Sequence, residues 1–150
     1  MAQGILEAEL SARNQNNAVV DSAGTGNWHT GNPPDSRAIS TVKTKGIDIS
    51  SQRARQIKPA DFDQFDMIIA MDQDNYDDIM ELAERANISQ DARTKVSMCL
   101  DFSSISKGGD VPDPYYGAEG GFTQVLSLLE DACSGIANNI TGNITSTSSQ

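Results

Sequence analysis

Asp113 stands directly before Pro114 in the run Asp110-Val111-Pro112-Asp113-Pro114-Tyr115-Tyr116-Gly117. A proline biases the preceding residue toward extended backbone and so stiffens the loop around the carboxyl group. A carboxylic acid held on a stiff loop suits proton donation to a leaving oxygen. Tyr115 beside it offers an aromatic wall for a flat substrate ring. Residue types alone also fit plain turn chemistry for Asp113-Pro114. Trp28, the only Trp, lies in a Gly-rich loop. It reads either as a second aromatic wall or as a partly exposed loop anchor. Ser22 follows Asp21 after a short apolar run, where a hydroxyl could hydrogen-bond into a crevice or simply start a turn. His29 is the only His, and no Ser or Cys pairs with it as nucleophile and base.

The two cysteines, Cys99 and Cys133, are far apart in sequence. A phosphate cradle needs a Cys and, six residues later, an Arg. Six residues past Cys99 stands Ile105, and six past Cys133 stands Asn139. Cys133 falls on an apolar helical stripe and reads as core, as does Cys99 at the end of a strand candidate. No Cys-x-x-Cys or Cys/His cluster occurs, so the sequence predicts no metal site, and no cofactor is implied.

These groups must be positioned by one domain, as 150 residues suggest. The formal net charge of −10, from 21 acidic and 11 basic residues, argues against nucleic acid or an anionic membrane as partner. Two free thiols fit a reducing, cytoplasmic compartment. The chain has no apolar run long enough to span a membrane, and its first residues do not resemble a signal peptide.

Helical spacing of Ala2, Ile5, Leu6 and Leu10 predicts a helix over residues 2–13. Ala18-Val19-Val20 predicts a short strand, followed by a Gly- and Pro-punctuated loop over 22–35. A helix is expected over 36–45 and a helical turn after Pro59. Met67-Ile68-Ile69-Ala70-Met71 predicts a strand buried on both faces. Asp72 then reads as the N-cap of a helix that carries Tyr76, Ile79, Met80 and Ala83 on one face. Residues 95–100 predict another strand and 101–117 a loop. A last helix over 118–137 would bury Phe122, Val125, Leu126, Leu129, Ala132, Cys133 and Ile136. Residues 138–150, rich in Asn, Ser and Thr, read as a disordered tail. The domain is therefore expected over 1–137. Alternating strands and helices predict an α/β fold, a small parallel sheet flanked by helices. Loops at strand C-termini should then face one crevice.

Several segments, in order, resemble the low-molecular-weight protein tyrosine phosphatases. They are Asp21-Ser22-Ala23-Gly24-Thr25, Trp28, Pro34-Asp35-Ser36-Arg37, Arg53-Ala54-Arg55-Gln56 and Phe65-Asp66-Met67-Ile68. Met71-Asp72, Asn75, the Asp113-Pro114-Tyr115-Tyr116 loop and Leu129-Glu130-Asp131-Ala132-Cys133 complete the set. The resemblance implies a flavodoxin-like three-layer fold and hydrolysis of phosphotyrosine monoesters through a phosphocysteine. It makes Asp113 the general acid, and Trp28 and Tyr115 the flanks of the phosphotyrosine ring. It gives Ser22, Arg55 and Asp72 supporting roles. The substrate would be a phosphotyrosine protein or an aryl phosphate.

The departure from that family is the cradle. Relatives open with a buried strand, then the Cys, the Arg and a Pro, and only then a helix that begins much like Met1-Ala2-Gln3-Gly4. The resemblance therefore implies a chain missing its first strand and phosphate loop, through an internal start or a lost first exon, and inactive as it stands. Two other readings compete: an arsenate reductase of the same fold, and a non-catalytic interaction module. The Asp113 loop, and the lack of a paired thiol near residues 60–72, favour the phosphatase over the reductase.

Overall fold

The computed structural model describes residues 1–27, 29–114 and 121–148, with side chains to residue 141. Six helices and two strands are assigned in these segments. They are α1 (Ala2–Ala12), α2 (Ser36–Lys43), α3 (Asp61–Gln64), β1 (Ile68–Ala70), α4 (Gln73–Arg85), α5 (Gln90–Arg93), β2 (Val96–Met98) and α6 (Gly121–Ser148). A 3-10 turn over Cys99–Phe102 follows β2 directly.

β1 and β2 pair in parallel, with Ile68 opposite Val96 and Ala70 opposite Met98. The alternation of side chains along β1 divides the core into two halves. Met67, Ile69 and Met71 face a cluster built from α1, α2, α6 and the 3-10 turn. Ile68 and Ala70 face a second cluster, with Phe62 of α3, Ile79 and Ala83 of α4, and Val96 of β2. This is the expected α/β arrangement: helices on both sides of a small parallel sheet.

The α6 stripe forms as its spacing predicts. Val125, Leu126, Leu129, Ala132, Cys133 and Ile136 are all buried. Gly135 permits the contact with the 3-10 turn, because a Cβ there would lie 2.0 Å from the carbonyl oxygen of Phe102. On α4, Tyr76, Ile79, Met80 and Ala83 all pack in the second cluster, and the Asp72 side chain caps the helix by accepting the Asn75 N–H at 2.7 Å.

Three expectations need correction. Residues 18–20 form no strand, and Val19 is 81% exposed. An apolar triplet becomes a strand only beside a neighbour that completes its hydrogen-bond ladder. Here Val20 instead accepts a side-chain bond from Gln3 Nε2 at 3.4 Å. In the run 67–71, only Ala70 is fully buried, while Met67, Ile68, Ile69 and Met71 are half-buried. In the last helix, the backbone stays helical past residue 137 to Ser148. Ile140 lies one turn beyond Ile136 and packs on the same core, and the Asn138 side chain accepts a bond from Arg13 of α1. Composition alone hid this continuation of the stripe. The short α5 was not anticipated; Ser89 caps it through the Ala92 N–H.

Candidate active site

The segment leading to Asp113 is fastened at both ends. Just beyond the 3-10 turn, the Asp131 carboxylate of α6 accepts the Ser103 hydroxyl, the Ser104 N–H at 3.1 Å and the Ser104 hydroxyl at 2.6 Å. Ser103 Oγ in turn accepts the N–H groups of Ile105 and Ser106 at 3.2 and 2.8 Å. Hydrogen bonds from Ser103 and then Ser104 hold the Asp131 carboxyl below the usual carboxylate range.

The chain then turns through Gly108 and Gly109, at φ +80° and +87°, where a side chain would be strained. Beyond this turn, Asp110 Oδ1 accepts the Gln73 N–H at 2.9 Å. The Val111 N–H donates to the Met71 carbonyl at 2.8 Å, and the Val111 side chain is buried in the main core. Asp113 itself is exposed. The loop is thus anchored where β1 gives way to α4, the step that also contains Asp72. Asp113 stands two residues past that anchor.

A second cluster centres on Arg55. Its guanidinium bonds both carboxylate oxygens of Asp61, Nη1 to Oδ2 at 3.0 Å and Nη2 to Oδ1 at 3.2 Å, and its Nε donates to Asp21 at 3.0 Å. The hydrogen bond to Asp61 is the main cause that holds the Arg55 pKa above its ordinary value. Asp61 is buried and also accepts the Lys58 N–H. Asp21 accepts the Ser22 N–H at 2.8 Å, and the Ser22 hydroxyl bonds Gln3 Oε1 of α1 at 2.6 Å. Backbone bonds clamp the following loop to the same neighbour: Gly24 N–H to Arg55 O, Ile57 N–H to Gly24 O, and Gly31 N–H to Ala54 O.

The structure therefore places Asp72 with the acid loop, and Ser22 with Arg55. Trp28 and Tyr115 lie outside the described residues. Sequence reasoning missed Asp110 and Asp131 as loop anchors, and Gln3, Asp21 and Asp61 as holders of Ser22 and Arg55. Asp21, Asp110 and Asp131 stood inside the quoted segments with no role attached, and Asp61 follows the expected turn at Pro59. Asp131 sits on the polar shoulder of an amphipathic helix, where a carboxylate ordinarily faces water. A groove of about 440 Å³ between α2 and α6, lined by Ser40, Thr41, Lys45, Thr123, Ser127 and Glu130 among others, contains none of the predicted site residues.

Both thiols are buried. Burial pushes Cys99 up to about 11 and Cys133 up to about 12, with the neighbouring Cys99 and Glu9 adding to the latter. Each therefore stays protonated at neutral pH and is a poor nucleophile. Among the described residues no group of His, Cys, Asp and Glu could hold a metal ion, and no helix is long and apolar enough to cross a membrane.

Comparison with known proteins agrees with this geometry. A family model described as low molecular weight phosphotyrosine protein phosphatase matches residues 1–146. The low molecular weight protein-tyrosine-phosphatase YfkJ of Bacillus subtilis is 36% identical over 135 residues, covering 89% of this chain and 81% of its own. The low molecular weight phosphotyrosine protein phosphatase of Schizosaccharomyces pombe is 35% identical over 133 residues, covering 87% and 81%. A crystal structure of a protein tyrosine phosphatase from Entamoeba histolytica superposes with a TM-score of 0.83 at 33% identity, covering 95% of this chain and 88% of that one. The YfkJ crystal structure gives a TM-score of 0.82, also at 33% identity, with coverage of 95% and 86%. This chain is a member of the low molecular weight phosphotyrosine protein phosphatase family.

Proposed function

We propose that this chain carries the proton-donor half of a phosphotyrosine monoester hydrolase. In the complete reaction a cysteine thiolate attacks phosphorus and the bond to the aryl oxygen breaks. Asp113 gives its proton to that departing oxygen. Its carboxylate then takes a proton from the water that attacks the phosphocysteine, the P–S bond breaks, and phosphate leaves. Trp28 and Tyr115 flank the ring of a phosphotyrosine protein or aryl phosphate. Ser22 and Arg55 support the loop that faces the substrate, and Asp72 supports the α4 end.

The anchored Asp113 loop is the observation that carries this reading, since general acid catalysis requires a donor at a fixed position. The same chemistry needs a nucleophile with an Arg six residues on, and the 150 residues hold no such pair. Cys99 and Cys133 cannot substitute, because both are buried and stay protonated. The 150-residue chain by itself is therefore inactive. The same two facts weigh against an arsenate reductase, which needs accessible thiols to relay electrons. Two free thiols support a reducing, cytoplasmic setting.

The test is steady-state hydrolysis of an aryl phosphate by the purified 150-residue protein. The expected result is no turnover above a heat-killed control, since loss of a nucleophile can cost about a millionfold in rate. Turnover that disappears with Asp113→Ala would reveal another nucleophile and overturn the inactivity.

A further inference from the structure

We propose that Asp110 is a positioning residue for Asp113. It is the latch that fixes the acid's arm to the first turn of α4. The proposal rests on the reading of Asp113 as the proton donor.

Two bonds tie the loop to one short stretch of chain. The Asp110 carboxylate takes the Gln73 N–H at 2.9 Å, and the Val111 N–H reaches the Met71 carbonyl at 2.8 Å. Gln73 is the first residue of α4, so its N–H has no partner within the helix. Asp72 already serves the Asn75 N–H. The two carboxylates therefore divide the free donors of this helix end instead of competing for one, and the helix dipole favours both charges.

The arm from latch to acid is short and stiff. Asp113 lies two residues beyond Val111, within about 7 Å of its Cα at full extension. Pro112 fixes its own φ, and Pro112 and Pro114 restrict the residues before them to extended backbone. With so few free torsions, the location of Asp113 follows the anchor. On the other side of the latch stand Gly108 and Gly109, both at positive φ with nothing within 4 Å of where a Cβ would be. The Gly108 N–H is tied to the Leu100 carbonyl at 3.0 Å. Without the Asp110 bond, the Val111 backbone bond and side chain would be left to hold the arm between that tie and Asp113.

A cap that serves only α4 and a latch that serves Asp113 differ in what they move. Asp110→Ala and Asp110→Asn both remove the charge, but the Asn oxygen can still accept the Gln73 N–H. The comparison therefore separates geometry from charge. The measurement is NMR on the 150-residue protein and the two variants, reading amide exchange and the Asp113 amide and Cα chemical shifts. In Asp110→Ala the Gln73 and Val111 amides should exchange about tenfold faster, the scale of one lost hydrogen bond. The α6 amides at Leu129 and Cys133 should keep their rates. The Asp113 amide and Cα chemical shifts should differ between Asp110→Ala and Asp110→Asn. If the Asp113 chemical shifts and the Val111 exchange rate are the same in the two variants, Asp110 is only a helix cap and the proposal fails. Should Asp110→Ala speed exchange throughout α6, the unaltered chain decides. There the Gln73 amide proton must titrate together with the Asp110 carboxyl carbon, and a Gln73 shift that ignores that carbon also overturns the latch. None of these readouts involves turnover, so they fail or succeed separately from the role of Asp113 as acid.

Discussion

Arg55 grips the buried carboxylate of Asp61 with two parallel hydrogen bonds, at 3.0 and 3.2 Å, while its third nitrogen holds Asp21. The Arg55 side chain is 29% exposed and that of Asp61 4%. One side chain thus joins α3 to the segment that carries Ser22. Arg55→Ala would leave the buried Asp61 carboxylate, among the described residues, with the Lys58 N–H. We expect a loss of about 2 kcal/mol in urea unfolding, below the figure for a fully buried pair because Arg55 keeps contact with water. Arg55→Lys should recover little of it, since an ammonium cannot reproduce the paired geometry. A full recovery would show that charge alone matters here.

The two cysteines give a direct chemical prediction. Thiols raised to about 11 and 12 by burial expose almost no thiolate at neutral pH. Labelling of the native protein with a thiol-specific disulfide reagent should be slow, and should accelerate sharply in denaturant. Rapid stoichiometric labelling of native protein at pH 7 would contradict the assigned burial and reopen the search for a nucleophile.

Asp131 predicts a pH dependence. Its folded-state pKa is depressed by the Ser103 and Ser104 bonds. The contribution is therefore present above the unfolded value of about 3.9 and fades as pH falls through the lower folded value. Exchange at the Ser104 amide, corrected for intrinsic rate, should report loss of the bond only in strong acid. Asp131→Ala should remove that protection at all pH values. Protection that persists in the variant would mean that α6 does not hold the start of the loop.

Gly135 tests the seat of α6. A methyl group there would fall 2.0 Å from the Phe102 carbonyl oxygen, a backbone atom that can yield only if the 3-10 turn moves. Gly135→Ala should destabilise by roughly 1–3 kcal/mol, the usual cost of overpacking, despite the better helix propensity of Ala. A neutral or stabilising outcome in thermal unfolding would show that the two elements are not in contact.

How legible all this was depends on the scale of the interaction. The helices α1, α4 and α6 could be read because their apolar residues repeat at helical spacing, and Asp72 because an N-cap is a local signal. Residues 18–20 misled because a strand depends on a neighbour, which three residues cannot specify. The end of α6 misled because Ile140 sits among polar residues whose composition outweighed its position one turn past Ile136. Asp113 stood out through Pro114, a local constraint. Its holders did not, since Asp110 acts on a residue 37 positions away and Asp131 on residues 27 and 28 positions away. Such pairings exist only in the folded chain. Arg55 entered through family likeness alone, and its bond to Asp61 becomes visible only when α3 packs.

The claim that Asp113 is the proton donor can be tested by adding a Cys and Arg at the spacing that the 150 residues do not contain. A strand and a loop with a Cys and an Arg six residues later are joined before Met1, and hydrolysis of aryl phosphates is compared with and without Asp113→Asn. Measurable turnover is expected in the extended chain, with a fall in kcat of about 100- to 10,000-fold on Asp113→Asn and little change in substrate affinity. The loss should be greatest for substrates with poor leaving groups, which depend most on a proton at the departing oxygen. Equal kcat for the two proteins across that series would contradict the account and remove Asp113 from the chemistry.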